Sequence, residues 1–310
     1  MIFLDSLRLT AFLFAYLLFN VITILEMRIS ETVQIDNLIA SFNDEPTIQD
    51  RLRLLCKFLS QYQSALVAFS GGVDSSLLLA ISSLIYEEGS IIGVTGNSHS
   101  LIKKDLLLST EIAKKFNIQH ITINTTEIDN QDYQANSKDR CYFCKSDLYS
   151  HLMKLKDQKR FDVIFDGTIF DDSFDYRPGS KAAKENGVES PLLESKFVKS
   201  DVRKIAKKLA LPNWAKPATA CLASRVAYGN KITNELLYKI ELAEEHIKSF
   251  AFKTVRVRVA ADLVRIEVAR DEIATLLNND IRESILAYLK SLGFKFVTVD
   301  LNGYQQGSFN

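Results

Sequence analysis

The residues best suited to chemistry begin with Ser70-Gly71-Gly72-Val73-Asp74-Ser75, which follows a short apolar run, Ala65–Phe69, and leads into a helical pattern. Two glycines let the backbone come close to a bound oxyanion. A helix starting there aims its free N–H groups and the positive end of its dipole at the same spot. Ser70, Ser75 and Ser76 add hydroxyl donors, and Asp74 can hold Mg²⁺ against phosphates. The chain has no G-x-x-x-x-G-K-S/T, so this is not a Walker P-loop. An ordinary turn capped by Asp or Ser is the plain alternative, but the whole run after a buried strand is far more specific than a lone Gly-Gly pair.

The second constellation is sulfur. Cys141-Tyr-Phe-Cys144 lies between Arg140 and Lys145, and Cys221 follows in Pro217-Ala-Thr-Ala-Cys-Leu-Ala-Ser-Arg225. Three thiolates with no conspicuous fourth ligand suggest an incomplete coordination sphere. A [4Fe–4S] cluster on three cysteines leaves one iron open to an extra sulfide. Structural zinc normally wants four ligands, and His99, His120, His151 and His246 lie in no metal spacing. A redox pair or persulfide carrier at the CxxC is a further reading, without a thioredoxin-like context; ordinary buried thiols are the plain one. Cys56 falls beside an apolar helical stripe and reads as a core thiol. Four cysteines in 310 residues make no disulfide scaffold and fit a reducing compartment.

Stepping out from these residues, the chain alternates strands and helices. The apolar run at 65–69 reads as a buried parallel strand, and 90–94, 118–123 and 161–165 read as further strands. Helical patterns cover 49–62, 74–86, 101–116 and 145–156. This predicts an α/β fold, a doubly wound parallel sheet with helices on both faces. Strand ends should then carry the ligand site. Thr95 and Ser98 end the second strand and Asp166-Gly167-Thr168 ends the fourth, so both are expected to border the ligand. After Pro212 the pattern becomes α+β: a helix at 234–250, alternating strands at 254–259 and 263–268, a helix at 281–292 and a strand at 294–299. The expected division is an N-terminal extension (1–48), a nucleotide domain (49–213) and a smaller C-terminal domain (214–310).

With these pieces in place, SGGVDS resembles the PP-loop of the N-type ATP pyrophosphatases, which cleave ATP between the α and β phosphates and adenylate a substrate oxygen. From about Leu52 to Asn310 the chain resembles the LarE family, the ATP-dependent sulfur transferases of nickel-pincer nucleotide synthesis. RCYFCKSDLY from Arg140, FDGTIFDDSFDYRPG from Phe165, SPLLES from Ser190 and LPNWAKPATACLASRVAYG from Leu211 carry the likeness, with VRVRVAADLVRIEV from Val255 and VTVDLNGYQQGSFN from Val297. Ile169-Phe170 replaces the family's usual Asn-Ala, Asn230 replaces a common Glu, and Gln305 an Arg. The resemblance implies that a carboxylate of pyridinium-3,5-biscarboxylic acid mononucleotide attacks the ATP α-phosphate. Asp74, with Asp171 or Asp172, would position Mg²⁺. Cys141, Cys144 and Cys221 would hold a [4Fe–4S] cluster whose extra sulfide becomes the thiocarboxylate. Members without the CxxC instead sacrifice the cysteine corresponding to Cys221. Arg256 and Arg258, two apart on one strand face, would take the mononucleotide phosphate. Arg265 would share that site, and Arg225 would hold a carboxylate. A homo-oligomer is implied, and the sulfide donor is left open.

Composition constrains the rivals. Lys plus Arg and Asp plus Glu each total 38, so bulk electrostatics do not favour a nucleic-acid partner. That weighs against a PP-loop tRNA thiolation enzyme. The intact loop together with three thiols weighs against a non-catalytic adenine-nucleotide-binding regulator. Leu9–Leu25 is an uncharged, mostly apolar run at the lower edge of a membrane span. It ends in Glu26-Met27-Arg28 without a cleavage site, so a start at Met27 is the expected reading, with an anchor or a signal peptide as alternatives. The expected location is cytoplasmic.

Overall fold

The computed structural model describes residues 34–174, 177–217 and 220–305. The apolar run at 9–25 lies outside them. Among the described residues no helix is long and apolar enough to cross a membrane. Residues 34–40 form helix α1, and Ile35, Leu38, Ile39 and Phe42, all within the expected N-terminal extension, pack into the main core. Helix α2 (Pro46–Leu59) starts on a proline, whose missing N–H costs nothing in a first turn. It buries Leu52, Leu55 and Leu59 completely, each worth about 1.5–3 kcal/mol.

The first sheet is parallel throughout, in the order β3-β2-β1-β4, with β1 (Ala65–Ala68), β2 (Ile91–Asn97), β3 (Gln119–Asn124) and β4 (Val163–Phe165). Alternate side chains of β1 serve two cores. Ala65 and Val67 face α2 and α3 (Val73–Ser82), while Leu66 and Ala68 face Tyr149 and Leu152 on the opposite side. Helix α4 (Lys103–Lys115) links β2 to β3; the short α5 (Gln131–Gln134) and long α6 (Arg140–Lys159) lead to β4. The chain winds outward from β1 to β3 and then returns to β4 on the other side of β1. The crevice between the β1 and β4 ends is therefore the switch point where open α/β sheets bind ligands. Three further helices, α7 (Pro178–Glu185), α8 (Pro191–Glu194) and α9 (Lys199–Lys208), complete this part, with Val202, Ile205 and Ala206 of α9 buried.

The second sheet has the order β5-β6-β7: β5 (Val255–Ala260) and β6 (Leu263–Val268) are antiparallel, and β7 (Phe296–Val299) joins β6 in parallel. Helix α10 (Asn234–Lys248) starts where Thr233 accepts the N–H of Leu236. Helices α11 (Ile273–Leu276) and α12 (Asn279–Ser291) precede β7. The chain is thus α/β with a smaller C-terminal mixed sheet. The first core ends at Leu211, and the second, which resumes at Leu222, also recruits Ile128 and Tyr133 from the first part.

Candidate active site

The glycine loop sits at the switch point, and its geometry explains its glycines. Gly71 has φ +69°, and a Cβ there would stand 2.8 Å from the carbonyl oxygen of Asp105. Gly72 is the N-cap of α3, and no side chain caps that end, so the first N–H groups of α3 face the crevice. Ser75 Oγ accepts from the N–H of Ser70 (3.3 Å) and donates to the carbonyl of Gly72 (3.2 Å); Ser76 Oγ donates to that carbonyl too (2.8 Å). Asp74 is half-buried and bound through both carboxylate oxygens to Lys199 Nζ, at 2.8 and 2.7 Å. Asn213 Nδ2 donates to the carbonyl of Gly71 (2.9 Å) and to Ser76 Oγ (2.8 Å). Lys199 falls in none of the runs singled out from the sequence, and Asn213 lies in the run from Leu211 without being singled out; contact with the loop reveals both.

The ends of β4 and β2 close on this loop from either side. Gly167 lies so near it that a Cβ would stand 2.7 Å from the N of Ser75. Thr168 donates its N–H and hydroxyl to the two oxygens of Asp166, at 3.1 and 2.9 Å. Asp166 is buried and also accepts from Ser190 Oγ (2.7 Å) and Tyr149 Oη (3.1 Å). Thr95 is buried beneath the loop, donating its hydroxyl to the carbonyl of Phe69 (2.6 Å) and meeting His120 Nε2 at 2.8 Å. Burial holds His120 below its ordinary pKa. Ser98 bonds Glu127 and Ser100 and lines a cavity of about 430 Å³ with Asn97, Asn124, Lys103 and Glu241. Asp171 accepts the N–H of Lys199 (2.8 Å); Asp172 accepts that of Ile169 (3.1 Å) and pairs with Arg177. Burial lifts the Asp172 carboxyl, against the pull of Arg177. Ile169 is buried in the main core, which accounts for an apolar side chain at that place.

The three thiols come from two segments that meet. Cys141 and Cys144 lie in the first turns of α6, which begins at Arg140 and so ahead of the sequence-predicted helix start at Lys145. Cys141 is exposed, whereas Cys144 and Cys221 are half-buried against the second core. Arg140 joins the segments. Its guanidinium is buried, with Nη1 donating to Asn136 Oδ1 (2.7 Å) and to the carbonyl of Ala223 (3.0 Å), and Nη2 standing 4.0 Å from Cys141 Sγ. Burial opposes its charge, but Cys221 and Cys141 outweigh that and raise its pKa. The N–H of Leu222 donates to the carbonyl of Ser100 (2.9 Å), tying the Cys221 loop to the end of β2. Burial pushes the Cys144 thiol far above its ordinary value, with Glu127 and Cys221 adding to the shift and Lys145 opposing it. Among the described residues, no three His, Cys, Asp or Glu side chains stand in an arrangement that could hold a metal ion. The thiols share a neighbourhood, since Cys221 and Cys141 both act on Arg140 and on Cys144. Cys56 lies apart, its thiol pushed up to about 11 by burial.

The arginines expected to hold substrate form a separate, charge-matched network. Arg225 is fully buried; its Nε donates to Glu244 at 2.9 Å, and Nη1 donates to the carbonyls of Ala220 (2.6 Å) and Cys221 (3.1 Å). It therefore shapes the Cys221 turn directly. Burial disfavours the Glu244 carboxylate, yet Arg225 overrides this and holds its pKa below the usual range. Arg258 pairs with Glu267 (3.1 Å) and donates to the carbonyl of Ser224 (3.0 Å); Arg265 bonds the other oxygen of Glu267 (2.8 Å). Arg256 instead lies 5.0 Å from the ring centre of Tyr304, and burial with Arg225 lowers its pKa. Among the described residues it forms no ion pair with a carboxylate.

No family model matches the chain. It is 37% identical over 263 residues to an uncharacterised protein of Synechocystis sp., spanning 85% of this chain and 98% of that one. It is 34% identical over 266 residues to the pyridinium-3,5-bisthiocarboxylic acid mononucleotide synthase of Lactiplantibacillus plantarum, spanning 85% and 95%. A third relative, an uncharacterised protein of Methanocaldococcus jannaschii, is 33% identical over 240 residues, 77% of this chain and 90% of that protein.

Proposed function

Because the chain belongs to the family of the pyridinium-3,5-bisthiocarboxylic acid mononucleotide synthase, the LarE family of sulfur-inserting enzymes, we propose that it adenylates a carboxylate of pyridinium-3,5-biscarboxylic acid mononucleotide and converts it to a thiocarboxylate. The observation that carries this reading is the meeting of the Cys221 turn with the end of β2, beside a glycine loop at the sheet's switch point.

ATP lies along Ser70, Gly71, Gly72, Ser75 and Ser76, with Gly167 and Thr168 opposite. The free N–H groups at the start of α3 stabilise charge on the departing pyrophosphate. Asp74 would hold Mg²⁺, which when bound supplies charge to screen the phosphates. Thr95 and Ser98 act from behind, fixing the backbone of Phe69 and the turn at Ser100. A carboxylate oxygen attacks the α-phosphate, its bond to phosphorus forms, and the bond to the β-phosphate oxygen breaks. AMP then replaces oxide as the leaving group on the acyl carbon.

Cys141, Cys144 and Cys221 would hold a [4Fe–4S] cluster, and the donor chemistry suits it: three thiols, with the buried cation Arg140 beside them to offset thiolate charge. When bound, the cluster supplies a sulfide nucleophile. In the alternative route, Cys221 surrenders its own sulfur, and the test below separates the two. Arg256 is the cation with most to offer the mononucleotide phosphate, while Arg225, Arg258 and Arg265 build its surroundings.

The test supplies MgATP and the dicarboxylate mononucleotide under anaerobic conditions and follows pyrophosphate, product mass and protein mass. Pyrophosphate release with an oxygen-to-sulfur mass change in the nucleotide is expected, and Asp74→Ala should abolish the first while leaving iron content unchanged. Loss of one sulfur from Cys221 selects the sacrificial route; iron lost from each of Cys141→Ala, Cys144→Ala and Cys221→Ala selects the cluster. Absence of pyrophosphate from the wild type with this substrate would refute the reading.

A further inference from the structure

The loop from Ser70 to Ser75 contains no lysine or arginine, yet a triphosphate brings several negative charges to it and Asp74 adds another. The cation at this place comes from far along the chain. Lys199 Nζ donates to Asp74 Oδ1 (2.8 Å) and Oδ2 (2.7 Å). Its position is fixed by its own backbone, since the Lys199 N–H, at the start of α9, donates to Asp171 Oδ2 at 2.8 Å. Both side chains of the pair keep solvent access, 31% for Lys199 and 24% for Asp74, so a ligand can reach them. The pair is not needed to join α3 to α9. Leu77, Leu78 and Ile81 of one helix and Val202 and Ile205 of the other are wholly buried in the same core, and a part-exposed ion pair adds little to such packing.

We propose that Lys199 is a phosphate-binding residue of the ATP site, and that its ion pair with Asp74 is the nucleotide-free half of a charge exchange. When MgATP enters, the divalent cation takes the Asp74 carboxylate and Lys199 Nζ turns to a phosphate oxygen. Each group trades one opposite charge for another, so neither is left bare. ATP arriving without the metal has to draw Lys199 away and leave the carboxylate facing phosphates, so binding is metal-dependent. The inference rests on reading the glycine loop as an ATP site.

The experiment titrates ATP calorimetrically into the wild type, Lys199→Met and Lys199→Arg, each with Mg²⁺ and with EDTA. A separate titration of Mn²⁺ without nucleotide is read by paramagnetic resonance. K199M should weaken MgATP binding by about 10- to 100-fold, the scale of one charge-assisted hydrogen bond. K199R, which keeps the cation, should stay within about fivefold of the wild type. Mn²⁺ alone should bind K199M more tightly than the wild type, because Asp74 is released; a purely structural ion pair would not produce that gain together with the loss of ATP. Lys199→Gln is run beside K199M so that a folding defect in one variant does not decide the outcome. MgATP affinity in both neutral variants within about twofold of a wild type that binds well would overturn the inference alone. A wild type that binds no MgATP would overturn the ATP-site reading, and this inference with it.

Discussion

Replacing Gly167 by alanine tests whether the end of β4 supports the nucleotide loop. The new Cβ would stand 2.7 Å from Ser75 N, 2.8 Å from Ser75 Cα and 3.0 Å from Ser75 Cβ. Carbon atoms rest at about 3.5 Å or more, so the two loops must part by roughly 0.7 Å. Neither side yields freely. Ser75 is in the first turn of α3, and Gly167 is flanked by Asp166, which accepts four side-chain and backbone donors. Overpacking of this kind costs about 1–3 kcal/mol of stability. The larger effect falls on function, because misplacing a positioned group by about 1 Å can cost 100-fold in rate. Gly187→Ala is the matched control: it has φ +61°, nothing lies within 4 Å of its added Cβ, and it is no part of the crevice. The left-handed backbone alone costs an alanine there about 1–2 kcal/mol. Urea unfolding should therefore show similar losses for both variants, while MgATP affinity and pyrophosphate release fall by about tenfold or more only in G167A. If G167A binds MgATP within about twofold of the wild type, the idea that Gly167 supports the loop is wrong.

Two further outcomes follow from the buried charges and thiols. In the metal-free protein at mildly alkaline pH, iodoacetamide should modify exposed Cys141 well before Cys144, whose raised pKa keeps it a thiol; equal labelling rates by peptide mass spectrometry would contradict the burial of Cys144. For Glu244, the folded-state pKa is depressed, so its contribution to stability is complete above the unfolded carboxylate value of about 4.3 and is lost as pH falls through the folded one. Glu244→Gln should start about 3–5 kcal/mol less stable, because Arg225 is left buried and unpaired. It should then lose less on acidification than the wild type, and parallel acid slopes in urea titrations would refute the pairing.

Much of the fold is legible because β1, most of β2 and β4 are buried and read as apolar runs, while the edge strand β3, partly exposed, shows itself by alternation. The helix carrying the CxxC is less so: Arg140 at its start is held by nearby Asn136 and by the carbonyl of Ala223, a distant partner that local pattern does not show. Helix α1 escapes notice since its buried residues, Ile35, Leu38 and Ile39, are spaced among polar ones and need the main core to show their face. In the site, residue types announce the glycine loop and the thiols, but not how hydroxyls and cations are used. Thr95 ends the right strand yet turns its hydroxyl to Phe69. Arg256 and Arg258 share a strand face as alternation requires, yet Glu267 neutralises one while Tyr304 stacks on the other. Strand periodicity gives a side chain's direction; its charge partner comes from another strand and appears only when the sheet is assembled.

Three ties bind the sulfur-bearing segments to the glycine loop or to the strand ends beside it, and each runs through backbone or buried side chains. Asn213 joins the linker leading to Cys221 to Gly71 and Ser76. Leu222 joins the Cys221 turn to Ser100 beyond β2. Tyr149, two helical turns after Cys141, joins α6 to Asp166 ahead of Gly167. A hydroxyl bonded to a buried carboxylate is stronger than a neutral pair, and Tyr149 is almost wholly buried, so that last tie resists solvent. Lys145 stands 5.4 Å from the centre of the Tyr149 ring, one residue from Cys144, placing a cation between the thiol and the carboxylate. Under the proposed function, these bonds would hold the sulfur-bearing segments beside the loop where the acyl-adenylate forms.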